Sequence, residues 1–183
     1  ARKFKADITP LLDAQKLCAV LFQFPPSFRP TMDSLDYLKR LRETFQKIPL
    51  VFEFRYRRWF TGEVIELLTE LDCAFCWIDA PKSAGVPRHF FPVTADFAYA
   101  RFHGRNESDW WRGTGAGEEG VGDSSARYHY LYPEKEIEEL AKAVIETGAR
   151  KGYILFNNHP VADAPKNARQ MEIIMERLLV GEK

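Results

Sequence analysis

Residues 99–105, Tyr-Ala-Arg-Phe-His-Gly-Arg, place cationic and imidazole side chains at the end of a predicted strand. Alternate side chains of a strand point to the same face, so Tyr99, Arg101 and His103 share one face. Arg and His side chains in a half-buried strand cost free energy unless an anion or a hydrogen-bonding group meets them there. The stretch therefore predicts the floor of a binding site.

Four more predicted strands stay apolar until they end in polar residues. They are predicted at residues 17–24, 50–55, 73–79 and 153–157, and their polar ends are Gln23, Glu53 with Arg55, Asp79, and Asn157. Parallel sheets bind ligands at the carboxyl ends of their strands. We therefore expect these side chains to share one site with Arg101 and His103.

Helices are predicted between most of the strands from the spacing of apolar residues and from capping residues and prolines. The predicted helices cover residues 4–16, 31–48, 61–71, 133–148 and 164–179, and residues 80–95, which contain prolines, are predicted to be irregular. This alternation predicts an α/β fold with a parallel sheet, either open and doubly wound or part of an eight-stranded barrel. Polar ends on every strand favour the barrel, because an open sheet concentrates its ligand at one switch point.

The composition predicts one domain with one sizeable core. The chain has 183 residues, 45% of them hydrophobic, and its 26 basic residues balance 26 acidic ones. No overall field attracts nucleic acid or an anionic membrane, so anion recognition must be local. No apolar run approaches the roughly 20 residues of a membrane span. The 3 cysteines, an odd number, do not describe a disulfide framework, and a cytoplasmic protein is expected.

Anion binding is the first chemistry that these residues predict. Arginine offers a planar donor fork that matches phosphate or carboxylate oxygens, and histidine adds a hydrogen bond or moves a proton near neutral pH. The candidate residues are Arg55, Arg101, Arg105 and His103. The alternative is that the arginines form structural ion pairs with Glu53 or Asp79.

General acid/base chemistry is the second possibility. Glu53, Asp79 and His103 are residue types that transfer protons, and carboxylate with imidazole also suits several divalent metals. Arginines at the same strand ends repel a cation, and Glu53, Asp79 and His103 do not follow the spacing of a metal-binding motif. Both points disfavour a metal site. The sequence leaves the cofactor unassigned.

Further side chains are candidates for the same site. Asn157 is expected to point into the pocket and Asn158 away from it, and Gln23 needs a polar partner in its apolar strand. Residues 106–127 are rich in glycine and predict a mobile loop, in which Trp110 is placed to stack on a base or sugar or to anchor the loop.

Two patterns are interpreted as coincidental. Cys73 and Cys76 have C-x-x-C spacing, but positions three apart in a strand face opposite sides. The glycines at 115, 117 and 120 match the dinucleotide fingerprint by letters, yet no predicted strand precedes them and no apolar helix follows.

Several ordered motifs resemble the YecE-like family, domain of unknown function seventy-two. They are residues 20–28 (Val-Leu-Phe-Gln-Phe-Pro-Pro-Ser-Phe), 51–55 (Val-Phe-Glu-Phe-Arg) with Trp59-Phe60, 101–105 (Arg-Phe-His-Gly-Arg), 130–132 (Tyr-Leu-Tyr) and 156–159 (Phe-Asn-Asn-His). The resemblance covers nearly the whole chain from about residue 8 and implies a TIM-barrel-like fold with no established activity. It also implies that the family's first three strands precede this stretch, so five parallel strands, curved but not closed, are expected.

Two functions remain open from the sequence. One is an enzyme that binds a phosphorylated or acidic small molecule through its arginines and moves protons with His103 and Glu53 or Asp79. The other is a noncatalytic module that binds nucleic acid or another phosphate-bearing partner, against which the zero net charge counts.

Overall fold

The structure, a computed structural model, describes residues 2–108, 110, 128–158 and 161–181. Helices and strands alternate along the chain: α1 Arg2–Asp13, β1 Val20–Gln23, α2 Met32–Thr44, β2 Leu50–Glu53, α3 Gly62–Glu70, β3 Cys73–Asp79, β4 Ala98–Phe102, α4 Glu134–Glu146, β5 Gly152–Phe156 and α5 Asp163–Val180. Short 3₁₀ turns at Arg57–Trp59 and Lys82–Ala84 follow β2 and β3.

The five strands are parallel and lie in the order β1-β2-β3-β4-β5. A doubly wound sheet reverses its strand order at a switch point, whereas successive strands of a barrel are neighbours throughout. The described part of the chain is therefore an α/β half-barrel, in agreement with the expectation of five parallel strands.

Alternating side chains divide the apolar residues between two faces of the sheet. On the helix side, Phe52 and Phe75 pack in one core and Trp77 and Phe102 in another. The inner face is a third apolar cluster whose buried members are Val51, Ala74, Cys76, Ile78, Ala80, Val86, Phe97, Tyr99 and Trp110. Cys73 lies in a helix-side core, so the two cysteines of the C-x-x-C pattern face opposite sides as expected.

Some element boundaries differ from the prediction. The first predicted strand shortens to four residues, and α1 ends at Asp13 rather than near residue 16. Thr31 caps α2 by accepting a hydrogen bond from the Ser34 backbone at 3.3 Å, but Thr61 makes no such bond at the start of α3.

None of the described helices is long and apolar enough to cross a membrane.

An aromatic stack holds the loops that follow β1 and β2. The ring centroids of Phe24 and Phe28 are 4.3 Å apart, and those of Phe54 and Trp59 are 4.4 Å apart. Phe24 also stacks on Phe54 at 5.5 Å, and the Trp59 indole N–H donates to the Phe28 carbonyl at 2.7 Å. The stack therefore fixes the backbone immediately before Arg55.

Replacing Phe54 with Ala is expected to lower the free energy of unfolding by about 3–5 kcal/mol, because a fully buried ring is lost and a cavity remains. Urea unfolding measures this change. Ile173→Ala is the control, since Ile173 is 51% exposed on α5, and it should shift the free energy by no more than about 0.5 kcal/mol. Equal losses in the two variants would contradict the role given to the stack.

Candidate functional site

Glu53 is the centre of a polar cluster on the inner face, at the carboxyl ends of the strands. Its carboxylate is fully buried and pairs with the guanidinium groups of Arg55 and Arg101. The Arg101 Nη1 atom lies 2.6 Å from Glu53 Oε2 and also donates to Gln23 Oε1 at 2.9 Å. We call Gln23, Glu53, Arg55, Arg101, His103 and Asn157 the inner cluster.

The strand geometry explains why these side chains meet. In β2, Val51 and Glu53 point inward while Phe52 points to the helices, and the parallel register pairs Gln23 with Glu53 on the neighbouring strand. Arg101 projects inward from β4, which places its guanidinium beside Glu53. The strands β1, β2 and β4 thus contribute groups to one ion-paired centre.

His103 is buried, and both of its ring nitrogens have partners. Nε2 lies 2.9 Å from Arg55 Nη2, and Nδ1 lies 3.1 Å from the side-chain amide of Asn157. A guanidinium nitrogen only donates, so Nε2 accepts and the neutral ring carries its proton on Nδ1. That N–H is satisfied when the amide oxygen of Asn157 faces the ring. Arg55 therefore selects one tautomer of His103.

The inner cluster keeps His103 neutral. Burial lowers the pKa of His103 well below its usual value, and the positive charges of Arg55 and Arg101 lower it further. Cys76 stands 3.8 Å from the Glu53 carboxylate, and burial together with that negative charge raises the pKa of its thiol well above the usual value. The site thus holds an uncharged imidazole and an uncharged thiol beside its ion pairs.

Aromatic rings border the imidazole. The ring centroid of His103 is 6.4 Å from that of Trp110 and 6.1 Å from that of Tyr128, and the last two are 6.1 Å apart. Trp110 is buried in the inner-face cluster. These rings give the site an apolar border on the side of His103.

Asp79 and Arg105 do not join the inner cluster. Asp79 follows Trp77 in alternation on the helix side of β3, where Arg105 Nε and Nη2 bind its carboxylate at 2.9 and 2.8 Å. Simple alternation predicts Arg105 on the same face as His103, but β4 ends at Phe102 and Gly104 adopts a φ of +91°. This left-handed turn redirects Arg105 toward the helices.

Asp79 and Tyr132, on the helix side of the sheet, hold the turn that carries His103. The Tyr132 hydroxyl donates to Asp79 at 2.7 Å and accepts from the Gly104 backbone N–H at 2.8 Å. The backbone N–H of His103 donates to the Asp79 carbonyl at 2.9 Å. Burial raises the pKa of Tyr132 well above its usual value, so this hydroxyl keeps its proton. Asp79 and Tyr132 therefore act on the position of His103.

The structure brings together most of the site residues predicted from the sequence, places Asp79 and Arg105 apart from them and adds Tyr132 and Cys76. Gln23, Glu53, Arg55, Arg101, His103 and Asn157 meet, and Trp110 borders them. The role of Tyr132 was missed, because nothing in the sequence shows that its hydroxyl reaches across to β3. Cys76, set aside with the C-x-x-C pattern, also reaches the site: alternation in β3 puts it on the face opposite Asp79, and the structure shows that this is the inner face. Most of the predicted mobile loop at residues 106–127, with its glycines at 115, 117 and 120, lies outside the described residues, as does His159.

No group of three or more His, Cys, Asp or Glu side chains within the described ranges is arranged to hold a metal ion. The donor set of the inner cluster agrees with this, because its two guanidinium groups repel a cation.

The fold and the site together define a parallel α/β half-barrel with an arginine–glutamate–histidine cluster at the carboxyl ends of its strands. The family model described as "Protein of unknown function DUF72" matches residues 1–180, and the chain belongs to this family.

Relatives and solved structures agree with this membership. The chain is 33% identical over 176 residues to the UPF0759 protein YunF of Bacillus subtilis, a match that covers 92% of this chain and 61% of that protein. A DUF72 family protein of Thermotoga maritima superposes with a TM-score of 0.82 at 36% identity, over 96% of this chain and 64% of that one. One from Enterococcus faecalis superposes with a TM-score of 0.80 at 28% identity, over 94% and 64% of the two chains. The chain therefore spans less than two thirds of the length of these relatives.

The burial of neutral His103 predicts a specific pH dependence of stability. Below its ordinary pKa of 6.5, the unfolded chain binds a proton at this residue that the folded chain does not. The contribution of neutral His103 to the free energy of unfolding is therefore complete above pH 6.5. It is lost as the pH falls toward the pKa of His103 in the folded chain, by at most about 1.4 kcal/mol per pH unit. His103→Gln should remove this part of the slope in urea unfolding followed from about pH 7.5 to pH 5.

The control for this experiment is His129→Gln, because His129 is exposed. It should leave the slope of the unmodified chain unchanged. An unchanged slope in His103→Gln would show that His103 takes up its proton equally well in the folded chain.

Proposed function

We propose that this chain provides a pocket for a phosphate or carboxylate group at the carboxyl ends of its strands. We further propose that the protein acts on a phosphorylated small molecule by acid/base chemistry. The observation that carries the proposal is the convergence of Arg55 and Arg101 on the single buried carboxylate of Glu53.

Charge and donor count support an anionic ligand. The guanidinium groups of Arg55 and Arg101 and the carboxylate of Glu53 sum to one net positive charge, and His103 adds none while it is neutral. A guanidinium presents five N–H donors. Within the described residues, the buried Arg55 Nε has no hydrogen-bond partner, and Arg101 makes its bonds to Glu53 and Gln23 through Nη1. The side chains of Arg55 and Arg101 are 13% and 16% exposed, so a ligand can reach them.

The acid/base role belongs to His103 and Glu53 in this proposal. Glu53 Oε1 and His103 Nε2 are 3.9 Å apart, and Arg55 lies against both. An anion that draws the Arg55 guanidinium toward itself uncovers the Nε2 lone pair, which then accepts a proton from the ligand. Asn157 keeps the ring oriented. Asp79 and Arg105, expected from the sequence to do chemistry and to bind ligand, enter the proposal as residues that position His103.

A noncatalytic phosphate- or nucleic-acid-binding module is the second candidate. The engagement of both ring nitrogens of His103 favours it, because an occupied imidazole is a hydrogen-bonding group rather than a base. The two candidates differ in their response to salt, since affinity for a long polyanion falls steeply with ionic strength and affinity for one small anion does not.

We also propose that the half-barrel is part of a single eight-stranded TIM-barrel-like domain. The longer relatives support this, as does a sheet whose order ends at β1 and β5. A cytoplasmic location is proposed on the three free cysteines.

Inorganic phosphate is expected to stabilise the protein, by about 2.7 kcal/mol at 100 times its dissociation constant. Arg101→Gln should abolish the stabilisation, because it removes one of the two charges that meet the anion. The measurement is the thermal unfolding midpoint with phosphate, acetate or no added anion. Arg150→Gln is the control: Arg150 is exposed and precedes β5, at the opposite edge of the sheet. A phosphate shift that survives in Arg101→Gln would refute the pocket.

His103→Gln separates the enzyme from the binding module. We expect the variant to retain the phosphate-induced shift, because the arginines remain. Turnover of a phosphorylated sugar or nucleotide should fall by about 10²–10⁴ if His103 transfers a proton. Unchanged turnover in this variant would remove His103 from the chemistry.

A further inference from the structure

The loops after β1, β2 and β3 concentrate positive charge in a protein of zero net charge. These loops are residues 24–31, 54–61 and 80–95; they contain no Asp or Glu, and their cations are Arg29, Arg55, Arg57, Arg58, Lys82 and Arg88. Like charges on neighbouring loops repel one another unless a counter-charge lies between them. All three loops follow strand carboxyl ends, on the edge of the sheet that carries the inner cluster.

Arg57 and Lys82 line a depression of about 210 Å³ together with Gly85, Val86 and Pro87. Both cations are exposed, and neither forms an ion pair with any of the residues that the structure describes. Among the residues that the structure describes, none neutralises the two positive charges that the depression presents to solvent.

The depression adjoins the inner cluster. Arg57 follows Arg55 by two residues, which limits the separation of their Cα atoms to about 7 Å. Val86, which lines the depression, is buried in the apolar cluster of the inner face with Val51 and Ala80. A ligand held by Arg55 is therefore within reach of the second pair of cations.

Glu107 is an acidic residue beside this depression, and its carboxylate is already engaged. Its carboxylate accepts hydrogen bonds from the backbone N–H groups of Lys82 and Ser83 at 2.6 and 3.0 Å and lies 3.7 Å from Arg88. It thus offsets the charge of Arg88 and occupies the backbone donors of the turn. With respect to the described part of the chain, the side chains of Arg57 and Lys82 remain available to a ligand.

We propose that Arg57 and Lys82 form a second anion subsite, which binds a further phosphate group of the molecule held by Arg55 and Arg101. The inference rests on the proposed anion pocket and narrows its ligand class to compounds with two or more linked phosphates. Single-stranded nucleic acid fits these loops less well, because their rings are already covered: Trp59 stacks on Phe54, and the Arg29 guanidinium lies 3.7 Å over the Tyr56 ring.

The test compares inorganic phosphate, pyrophosphate and tripolyphosphate by titration calorimetry at constant ionic strength. Tripolyphosphate should bind at least about tenfold more tightly than phosphate, since each added charge-assisted contact is worth about that factor. Arg57→Gln and Lys82→Gln should each weaken tripolyphosphate about tenfold and leave phosphate within about twofold. Lys47→Gln and Arg150→Gln, exposed cations that precede β2 and β5, are the controls and should change neither.

The outcomes separate the two proposals. If phosphate does not bind, or binds equally well to Arg101→Gln, the anion pocket fails and the subsite fails with it. If phosphate binding depends on Arg101 but tripolyphosphate is no tighter, or the Arg57 and Lys82 variants behave like the controls, the subsite is overturned and the pocket stands. Tighter binding of an oligothymidylate than of tripolyphosphate, lost in the same variants, would overturn the phosphate ligand in favour of nucleic acid.

Discussion

The buried carboxylate of Glu53 is the constraint on which the rest of the site depends. A carboxylate withdrawn from water is tolerated only when charged donors surround it, and removing one partner of such a pair leaves an uncompensated charge. Here Arg55, two residues after β2, and Arg101 in β4 supply those donors, and the Gln23 side chain at the end of β1 accepts a hydrogen bond from Arg101. One electrostatic requirement therefore draws three strand ends together and aims two guanidinium groups at the same point.

The same arrangement explains the state of His103. Because Arg55 occupies one ring nitrogen, and because the ring is buried beside the positive charges of Arg55 and Arg101, the imidazole stays neutral with a defined tautomer. The opposite face of the sheet supports this position, through the Asp79–Tyr132 contact and the left-handed turn at Gly104. A Cβ atom at Gly104 would lie 2.6 Å from the Tyr130 Cβ, so the turn requires glycine. Residues from both faces thus set the geometry of one imidazole.

The positive charges of this neutral chain are unevenly distributed. A neutral chain exerts little long-range pull on a polyanion, yet the loops after β1 to β3 hold cations and no acids. In contrast, Arg105 on the helix side faces the carboxylates of Asp79, Glu136 and Glu139. The excess of positive charge is therefore confined to the loops after β1 to β3, and the proposal of a compact phosphorylated ligand rests on this confinement.

The alternation of strands and helices, the five parallel strands and the polar strand ends could be predicted from the sequence, because apolar runs and periodic spacing are local properties. The sequence also indicated that Arg101 and His103 share one face of their strand, and Glu53 and Arg55 one face of theirs, since alternation within a strand is local too. Only the tertiary structure decided that Asp79 and Arg105 lie on the other face and that Tyr132 reaches them. A turn with positive φ at Gly104 ends the alternation, and contacts between residues 53 positions apart depend on the packing of whole elements rather than on any local pattern.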